Sequence, residues 1–159
     1  QGERLALNGK NGSGKSSLLK LILGEDIKKT RTISIGSGLI ISYVSQDTSH
    51  LSGTLSDYAS QCRIDESLFK AILRKLDFER IQFTKDMAQF SGGQKKKVLI
   101  AKSLCEQAHL YLWDEPLNFI DIYSRMQIEQ LILDFRPTMI FVEHDRAFRE
   151  TIATKTLEL

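Results

Sequence analysis

The chain has 159 residues, 42% of them hydrophobic and 26% charged, and its net charge is +2 at pH 7. This balance is typical of a soluble globular domain, and the charge is too small to indicate nucleic-acid binding by itself. Cys62 and Cys105 stand far apart, so they indicate neither a disulfide framework nor a zinc site. No apolar run approaches the roughly 20 residues of a membrane span. We therefore expect one cytoplasmic domain that does not itself insert into a membrane.

The first predicted element is an apolar strand, Arg4–Asn8, which begins within a few residues of the start of the chain. The chain ends equally abruptly in residues 156–159, which also have the pattern of a strand. Because both ends are so abrupt, we expect the chain to be a fragment of something longer.

A glycine-rich loop follows the first strand and leads into an apolar helix predicted over residues 17–23. Residues 9–16, Gly-Lys-Asn-Gly-Ser-Gly-Lys-Ser, fit the phosphate-binding pattern G-x-x-x-x-G-K-[ST]. Glycines tolerate positive φ, so backbone N–H groups can turn inward around a polyphosphate, and the helix N-terminus favours an anion. The alternative is a glycine-rich turn without a ligand, which the strand–loop–helix context disfavours.

Two side chains of this loop have distinct expected tasks. Lys15 can reach the outer phosphates, and the hydroxyl of Ser16 suits a Mg2+ ligand. The full set of expected phosphate contacts is Gly9, Asn11, Gly12, Ser13, Gly14, Lys15, Ser16 and Ser17.

The next part of the chain is predicted to change from strands to helices. Two short β runs at residues 31–35 and 39–45, joined by Gly-Ser-Gly, predict a hairpin that ends at Gln46. Apolar residues then recur at steps of three and four through residues 54–76. Asp65 or Ser67 is the candidate cap of the second helix in this region.

Ser91-Gly92-Gly93-Gln94 opens another helix, predicted to end at about residue 107. A hydroxyl, flexible backbone N–H groups and a helix N-terminus form a further anion-binding design, although so short a string is weak evidence alone. Three lysines follow at positions 95–97. They could touch RNA phosphates, but a solvated helix face is the interpretation that we favour.

An apolar strand predicted over residues 109–113 ends in two carboxylates, Asp114 and Glu115. A carboxylate at the carboxyl end of a buried strand can hold Mg2+ beside a phosphate loop. The next carboxylate can then polarise an attacking water as a general base. A charged loop after a core strand is the alternative, and it becomes the minority view once a phosphate loop is present.

A helix over Ile122–Phe135, a strand over residues 138–142 with His144 at its end, a short helix and a last strand complete the chain. Strands that alternate with helices predict a parallel α/β sheet, with a helical insertion near the middle of the chain.

The ordered set of motifs resembles the nucleotide-binding domain of the ABC ATPase superfamily over nearly the whole chain. Residues 9–16 resemble its Walker A loop, Gln46 its Q-loop, residues 91–94 its signature motif, residues 110–114 its Walker B strand and His144 its switch histidine. The resemblance implies a P-loop NTPase fold in one domain over residues 1–159. It also implies a parallel core sheet, a short helical signature subdomain at about residues 54–107, and N-terminal strands that are cut off.

The resemblance also assigns roles for ATP and Mg2+. It implies that Glu115 activates water, that His144 steadies the γ-phosphate, and that Gln46 orients the metal or the water. The implied metal ligands are Ser16, Gln46 and Asp114. The implied nucleotide contacts outside the phosphate loop are Ser91, Gly92, Gly93 and Gln94.

Domains of this family pair head to tail, with ATP between the Walker A loop of one and the signature of the other. The resemblance therefore implies an ATPase that hydrolyses ATP only when paired with a second ABC domain. The aromatic residue that stacks on adenine in this family would precede residue 1.

Residues 115–121, Glu-Pro-Leu-Asn-Phe-Ile-Asp, are similar to the E-P-T-N-H-L-D string of the ABC-F class. These are tandem ATPases that lack membrane domains and act on the ribosome. The departures at Leu117, Phe119 and Ile120 resemble the antibiotic-resistance, ribosome-protecting subgroup. We expect such a protein, with ribosomal RNA as a partner. The alternatives are the nucleotide-binding domain of an ABC membrane transporter and a non-catalytic clamp gated by ATP.

Overall fold

The computed structural model describes residues 1–25 and 34–159, and this part of the chain contains five strands and six α-helices. The strands are β1 (Arg4–Asn8), β2 (Ile41–Val44), β3 (Leu110–Asp114), β4 (Met139–Val142) and β5 (Lys155–Glu158). The α-helices are α1 (Lys15–Ile22), α2 (Leu55–Gln61), α3 (Glu66–Lys75), α4 (Gly92–Cys105), α5 (Ile122–Phe135) and α6 (Arg146–Ile152). Two 3-10 turns, Arg80–Thr84 and Met87–Gln89, lie between α3 and α4.

The five strands form a parallel sheet in the order β2-β3-β4-β1-β5. Residue Leu5 of β1 pairs with Ile140 of β4, and every strand pairing in the sheet is parallel. Parallel neighbours need crossover connections, which the helices between them supply. The prediction of a parallel α/β sheet is confirmed.

The first run of the predicted hairpin, residues 31–35, lies mostly outside the described part of the chain. Its second run forms β2, which begins at Ile41 and pairs with β3, where Ile41 is opposite Leu110 and Val44 is opposite Trp113. The strand is therefore two residues shorter at its start than the predicted run.

Parallel strands bring the segments that follow them to the same edge of the sheet. At this edge Gly9 follows β1, Ser45 and Gln46 follow β2, Glu115 follows β3, and Glu143 and His144 follow β4. Motifs as far apart in the sequence as Gly9 and His144, which are more than 130 residues apart, therefore lie at the same edge of the sheet.

The hydrophobic core consists of two clusters, to which neighbouring residues of a strand contribute alternately. Trp113 and Phe141 belong to the larger cluster, with helices α2 to α6, whereas Leu112 and Val142 pack with Leu19 of α1 in the smaller one. This alternation follows from the two-residue period of a strand. Full burial of one such side chain stabilises the fold by about 1.5–3 kcal/mol. The indole Nε1 of the buried Trp113 donates to Oγ of Ser103 at 2.9 Å.

Side chains cap the starts of most helices in the described residues. Asp65, not Ser67, caps α3 by accepting from the N–H of Leu68 at 2.7 Å. Such caps stabilise a helix by about 0.5–2 kcal/mol. The other capping residues are Thr54, Ser91, Asp121 and Asp145. None of the helices in residues 1–25 and 34–159 combines the length and the apolar character that crossing a bilayer requires.

The expectation of a solvated lysine face on α4 is wrong for two of the three lysines. Lys96 is 1% exposed and Lys97 is 7% exposed. The ammonium group of Lys96 lies at the end of β2, and that of Lys97 pairs with Asp121 at 2.9 Å. Both side chains are thus enclosed by elements that the sequence of the helix alone does not reveal.

Candidate functional site

The phosphate-binding loop joins β1 to α1, and its glycines have the conformation that the motif requires. The φ angles are +156° at Gly9, +81° at Gly12 and +94° at Gly14, a region that residues with a Cβ rarely adopt. Helix α1 begins at Lys15, so the backbone N–H groups of Lys15 and Ser16 belong to its first turn. Those N–H groups have no partner within the helix and suit an anion.

Side chains of the loop support its shape. Nζ of Lys15 donates to the carbonyl of Gly9 at 2.6 Å and to that of Lys10 at 3.0 Å, so the lysine curves back over the loop. Within the described residues, Oγ of Ser13 is a buried side-chain atom without a hydrogen-bond partner. Both features fit a loop that encloses a ligand rich in oxygen. A cavity of about 510 Å³ opens here and is lined by Asn11, Gly12, Gly14, Lys15, Ser16, Ser17, Glu115 and His144.

Ser16, Gln46 and Asp114 converge from three separate segments. Nε2 of Gln46 donates to Oγ of Ser16 at 3.1 Å and to Oδ1 of Asp114 at 3.0 Å. Asp114 is 2% exposed. These oxygen donors fit Mg2+, which is usually held by one or two protein oxygens together with water and substrate phosphates. In residues 1–25 and 34–159 there is no group of three or more His, Cys, Asp or Glu residues that could hold a metal ion.

Glu115 and His144 form a direct pair beside the phosphate loop. Nε2 of His144 lies 2.9 Å from Oε1 of Glu115, and Nδ2 of Asn118 donates to Oε2 of Glu115 at 2.9 Å. Burial alone raises the pKa of Glu115, but the hydrogen bonds from Asn118 and His144 and the charges of His144 and Lys96 outweigh it. The pKa of Glu115 is therefore below its ordinary value, and the side chain is a carboxylate at neutral pH.

Glu143 is a residue of this edge that the sequence interpretation missed. Its side chain is buried, and Oε2 accepts from the N–H of Leu117 at 3.1 Å. Oε1 accepts from the N–H groups of His144 at 2.8 Å and Asp145 at 3.3 Å. Glu143 thus links the segment after Glu115 to the segment that carries His144. The available signal was an acidic residue directly between an apolar strand and a site histidine.

The Ser91–Gln94 segment forms the N-terminus of α4 and is closed by a reciprocal pair of hydrogen bonds. The N–H of Gln94 donates to Oγ of Ser91 at 3.2 Å, and the N–H of Ser91 donates to Oε1 of Gln94 at 3.0 Å. Gly93 packs directly on the segment after Glu115, because a Cβ added there would lie 2.4 Å from the carbonyl oxygen of Phe119.

The structure therefore divides the predicted site residues into two groups. The phosphate loop, Gln46, Asp114, Glu115 and His144 lie together. Ser91, Gly93 and Gln94 line a different cavity, with Asp77, Glu79, Gln82, Lys97, Phe119 and Asp121.

Comparisons with known proteins agree on one family. The family model described as ABC transporter matches residues 1–118. The chain is 32% identical over 168 residues to the ATP-binding protein Uup of Caulobacter vibrioides, covering 100% of this chain and 28% of that protein. It is 30% identical to ABC transporter F family member 2 of Arabidopsis thaliana, covering 100% and 24%, respectively. It is 29% identical to the ribosome protection protein VmlR of Bacillus subtilis, covering 98% and 29%.

Solved structures show the same fold. The RNase-L Inhibitor superposes with a TM-score of 0.83 at 26% identity, over 99% of this chain and 32% of that one. A metal-chelate type ABC transporter in an inward-facing conformation superposes with a TM-score of 0.78 at 27% identity, over 100% and 70%. The chain spans between 24% and 29% of the length of the three sequence relatives.

Proposed function

The chain belongs to the ABC transporter family of ATP-binding domains, and from that premise we propose that it hydrolyses ATP as one partner of a paired site in an ABC-F protein that acts on the ribosome. The observation that carries the ATPase proposal is the meeting of the phosphate loop with Gln46, Asp114, Glu115 and His144 at one edge of the sheet.

The phosphates of ATP would lie against the N-terminus of α1. The backbone N–H groups of the loop, from Gly9 to Ser17, would donate to them, and Lys15 would exchange its two carbonyl partners for the outer phosphates. Ser16, Gln46 and Asp114 would hold Mg2+, which neutralises charge that develops on the phosphoryl oxygens. Asn11, Gly12, Ser13 and Gly14 complete the cradle.

Glu115 is the residue that we assign to water activation. As a carboxylate it can accept a proton from an attacking water, provided that its free lone pairs face the phosphoryl group. His144 contacts one of its oxygens and lines the same cavity as the phosphate loop, from where its imidazole would donate to the γ-phosphate. A general base of this kind accelerates a reaction by about 100- to 10,000-fold.

We propose that Ser91, Gly92, Gly93 and Gln94 bind the nucleotide of a second ABC domain. Residues of this segment line a different cavity from the phosphate loop, which supports an action on a partner. On this view residues 54–107 act as the helical unit that presents the segment, and turnover requires pairing.

The ribosome is the partner that sequence relatives support. One relative is named a ribosome protection protein and another an ABC transporter F family member, and residues 115–121 are similar to the ABC-F string. Contacts with ribosomal RNA would place the protein in the cytoplasm. The narrower proposal is resistance to lincosamides, streptogramin A and pleuromutilins.

A second candidate function is the motor domain of a membrane transporter. The likeness to a metal-chelate type ABC transporter over 100% of this chain favours it. In that case the surface near Gln46 would dock a membrane protein.

The decisive experiment uses the full-length protein and its Glu115→Gln variant. We expect ATP turnover to fall at least about 100-fold while ATP binding is retained. Glu150→Gln, the same chemical change at an exposed residue, is the matched control and should leave turnover unchanged. Equal rates for wild type and Glu115→Gln would remove Glu115 from the mechanism.

The partner is tested by affinity purification of the Glu115→Gln protein from cells with ATP. Recovery of ribosomes supports the ABC-F proposal, and recovery of a membrane protein without ribosomes supports the transporter. Drug susceptibility of cells that express the wild-type protein then tests the resistance proposal.

A further inference from the structure

Lys96 is a buried cation to which no contact with nucleotide, metal or water is assigned above, although its charge helps to lower the pKa of Glu115. It is 1% exposed, although it lies within a run of three lysines on α4. Burying an ammonium group is unfavourable unless the group is paired and hydrogen-bonded. A methionine of similar length would fill the same space without that penalty. The presence of a lysine at this buried position therefore requires an explanation.

The contacts of Lys96 are with the backbone just after β2. Nζ donates to the carbonyl of Ser45 at 2.8 Å and lies 3.4 Å from the carbonyl of Gln46. Burial lowers the pKa of Lys96, although the charges of Asp114, Glu115, Glu143 and Asp47 favour its charged form. The ammonium group thus contacts the backbone just after β2, and the carboxylates that follow β3 and β4 act on its charge.

The carbonyl of Gln46 belongs to the residue whose side chain reaches the metal ligands. From that backbone, Nε2 of Gln46 contacts Oγ of Ser16 at 3.1 Å and Oδ1 of Asp114 at 3.0 Å. The direction of a side chain depends on the backbone that carries it, and Gln46 lies in a segment without regular secondary structure. The contacts of Lys96 with the carbonyls of Ser45 and Gln46 restrain this backbone.

We propose that Lys96 is a positioning residue for the metal side of the ATP site, acting by holding the backbone of Ser45 and Gln46 so that the Gln46 side chain meets Ser16 and Asp114. This inference rests on the proposed ATPase function and deepens it.

The position of Lys96 on α4 also links it to the Ser91–Gln94 segment, which is assigned to the nucleotide of a second ABC domain. Lys96 lies about one helical turn from Gly92 and Gly93, at the N-terminus of the same helix. One rigid helix therefore carries both the segment assigned to the partner's nucleotide and the lysine that restrains the backbone of this domain's own Gln46.

The test compares Lys96→Met with Lys97→Met in the full-length protein. Both variants remove a buried lysine from α4, but Lys97 pairs with Asp121 and does not touch Gln46. Loss of a residue that orients metal ligands typically lowers metal affinity or activity by about 10- to 100-fold. We expect Lys96→Met to weaken Mn2+ binding to the protein–ADP complex, measured by electron paramagnetic resonance, by about tenfold. The Mg2+ concentration for half-maximal ATP turnover should rise in parallel.

Binding of ADP without metal should change less than about twofold in either variant, and Lys97→Met should keep the wild-type metal affinity. Metal affinities of Lys96→Met equal to those of wild type would overturn the inference, even if the variant is less stable. If Lys96→Met does not fold, Lys96→Leu also removes the donor to the carbonyls of Ser45 and Gln46, and the same comparison is made with Lys97→Leu.

A double variant shows whether Lys96 acts through Gln46. In a Gln46→Ala background, Lys96→Met should weaken Mn2+ binding by less than about twofold, because the side chain that it positions is gone. A full tenfold loss in that background would mean that Lys96 does not act through Gln46, which contradicts the proposal. If the wild-type protein binds neither ADP nor ATP, the proposed ATPase function itself is wrong. If the wild-type protein is active and Lys96→Met has the same metal affinity, only the proposed role of Lys96 is wrong.

Discussion

His144 and Glu115, which follow neighbouring strands, are joined in the structure by a 2.9 Å contact between Nε2 and Oε1. The backbone supports the same link, because the N–H of Glu115 donates to the carbonyl of Val142 at 2.8 Å. Glu115 itself has a φ of +50°, an uncommon conformation for a residue with a side chain. Glu115 is thus held by a side-chain contact with His144 and by a backbone hydrogen bond to Val142.

The first prediction concerns His144→Ala. Removing the imidazole frees Oε1 of Glu115 and removes a donor beside the phosphate loop, so we expect turnover to fall by about 100-fold. ATP binding should change much less, because the phosphate loop is intact. Steady-state turnover and equilibrium binding of a fluorescent ATP analogue measure the two quantities. His50→Ala, at an exposed histidine, is the control; equal effects of the two variants would argue against a role for the pair.

The second prediction concerns the close packing of Gly93. A Cβ at Gly93 would lie 2.4 Å from the backbone oxygen of Phe119, so Gly93→Ala must shift one segment or the other. We expect a loss of about 1–3 kcal/mol in the free energy of unfolding. At Gly92 the nearest atom to an added Cβ is Cδ2 of Phe119 at 3.4 Å, on a side chain that is 84% exposed and can move. Gly92→Ala should therefore cost less, and urea unfolding followed by circular dichroism checks the order.

The third prediction concerns Glu143→Gln. The two carboxylate oxygens accept from the N–H groups of Leu117, His144 and Asp145, whereas glutamine offers one oxygen and turns an NH2 group towards backbone donors. Because buried donors are left without acceptors, we expect a loss of about 1–3 kcal/mol in stability. Thermal unfolding measures it. Glu150→Gln, an exposed counterpart, should stay within about 0.5 kcal/mol of wild type, and a similar loss in both would contradict this account.

The fourth prediction is a pH dependence that arises from Asp121. Burial alone raises the pKa of Asp121, but the N–H of Ser124, the ammonium of Lys97 and the hydroxyl of Ser124 together lower it from 3.8 to about 2. A lowered pKa in the folded state stabilises the fold above pH 3.8, and this stabilisation is lost as the pH falls through about 2.

The test for Asp121 is the Asp121→Asn variant, because asparagine can still cap α5 but carries no charge. The side chain of Asp121 is 50% exposed, so the difference in unfolding free energy at pH 7 should not exceed about 1 kcal/mol. The difference should be constant above about pH 4 and shrink towards pH 2. A difference that stays constant down to pH 2 would show that the charge is not its source.

Much of the fold could be predicted from local pattern. The bounds of β1 and α5 agree with the sequence to the residue, because glycine, proline or capping residues punctuate both elements. Helix α1 begins at Lys15, earlier than residue 17, because Gly14 takes a left-handed conformation and closes the loop one residue before the helix. Only the geometry of the loop decides that start.

The parts that could not be predicted depend on contacts between distant segments. The periodicity of α4 gives no warning that Lys96 meets the end of β2, 50 residues earlier in the chain. Likewise, nothing in residues 139–144 shows that Glu143 will receive the N–H of Leu117. The partners of a buried charged side chain come from segments that are distant in the sequence. The local pattern around Lys96 or Glu143 therefore does not reveal them.

Trp113 is the only tryptophan among the 159 residues, and it lies fully buried next to Asp114, with its Nε1 bonded to Ser103. Its fluorescence therefore reports on one place, the carboxyl end of β3, and its emission should be that of an indole shielded from water. A red shift would mark the opening of this end of the sheet, so the domain carries an intrinsic optical probe one residue from its predicted metal ligand.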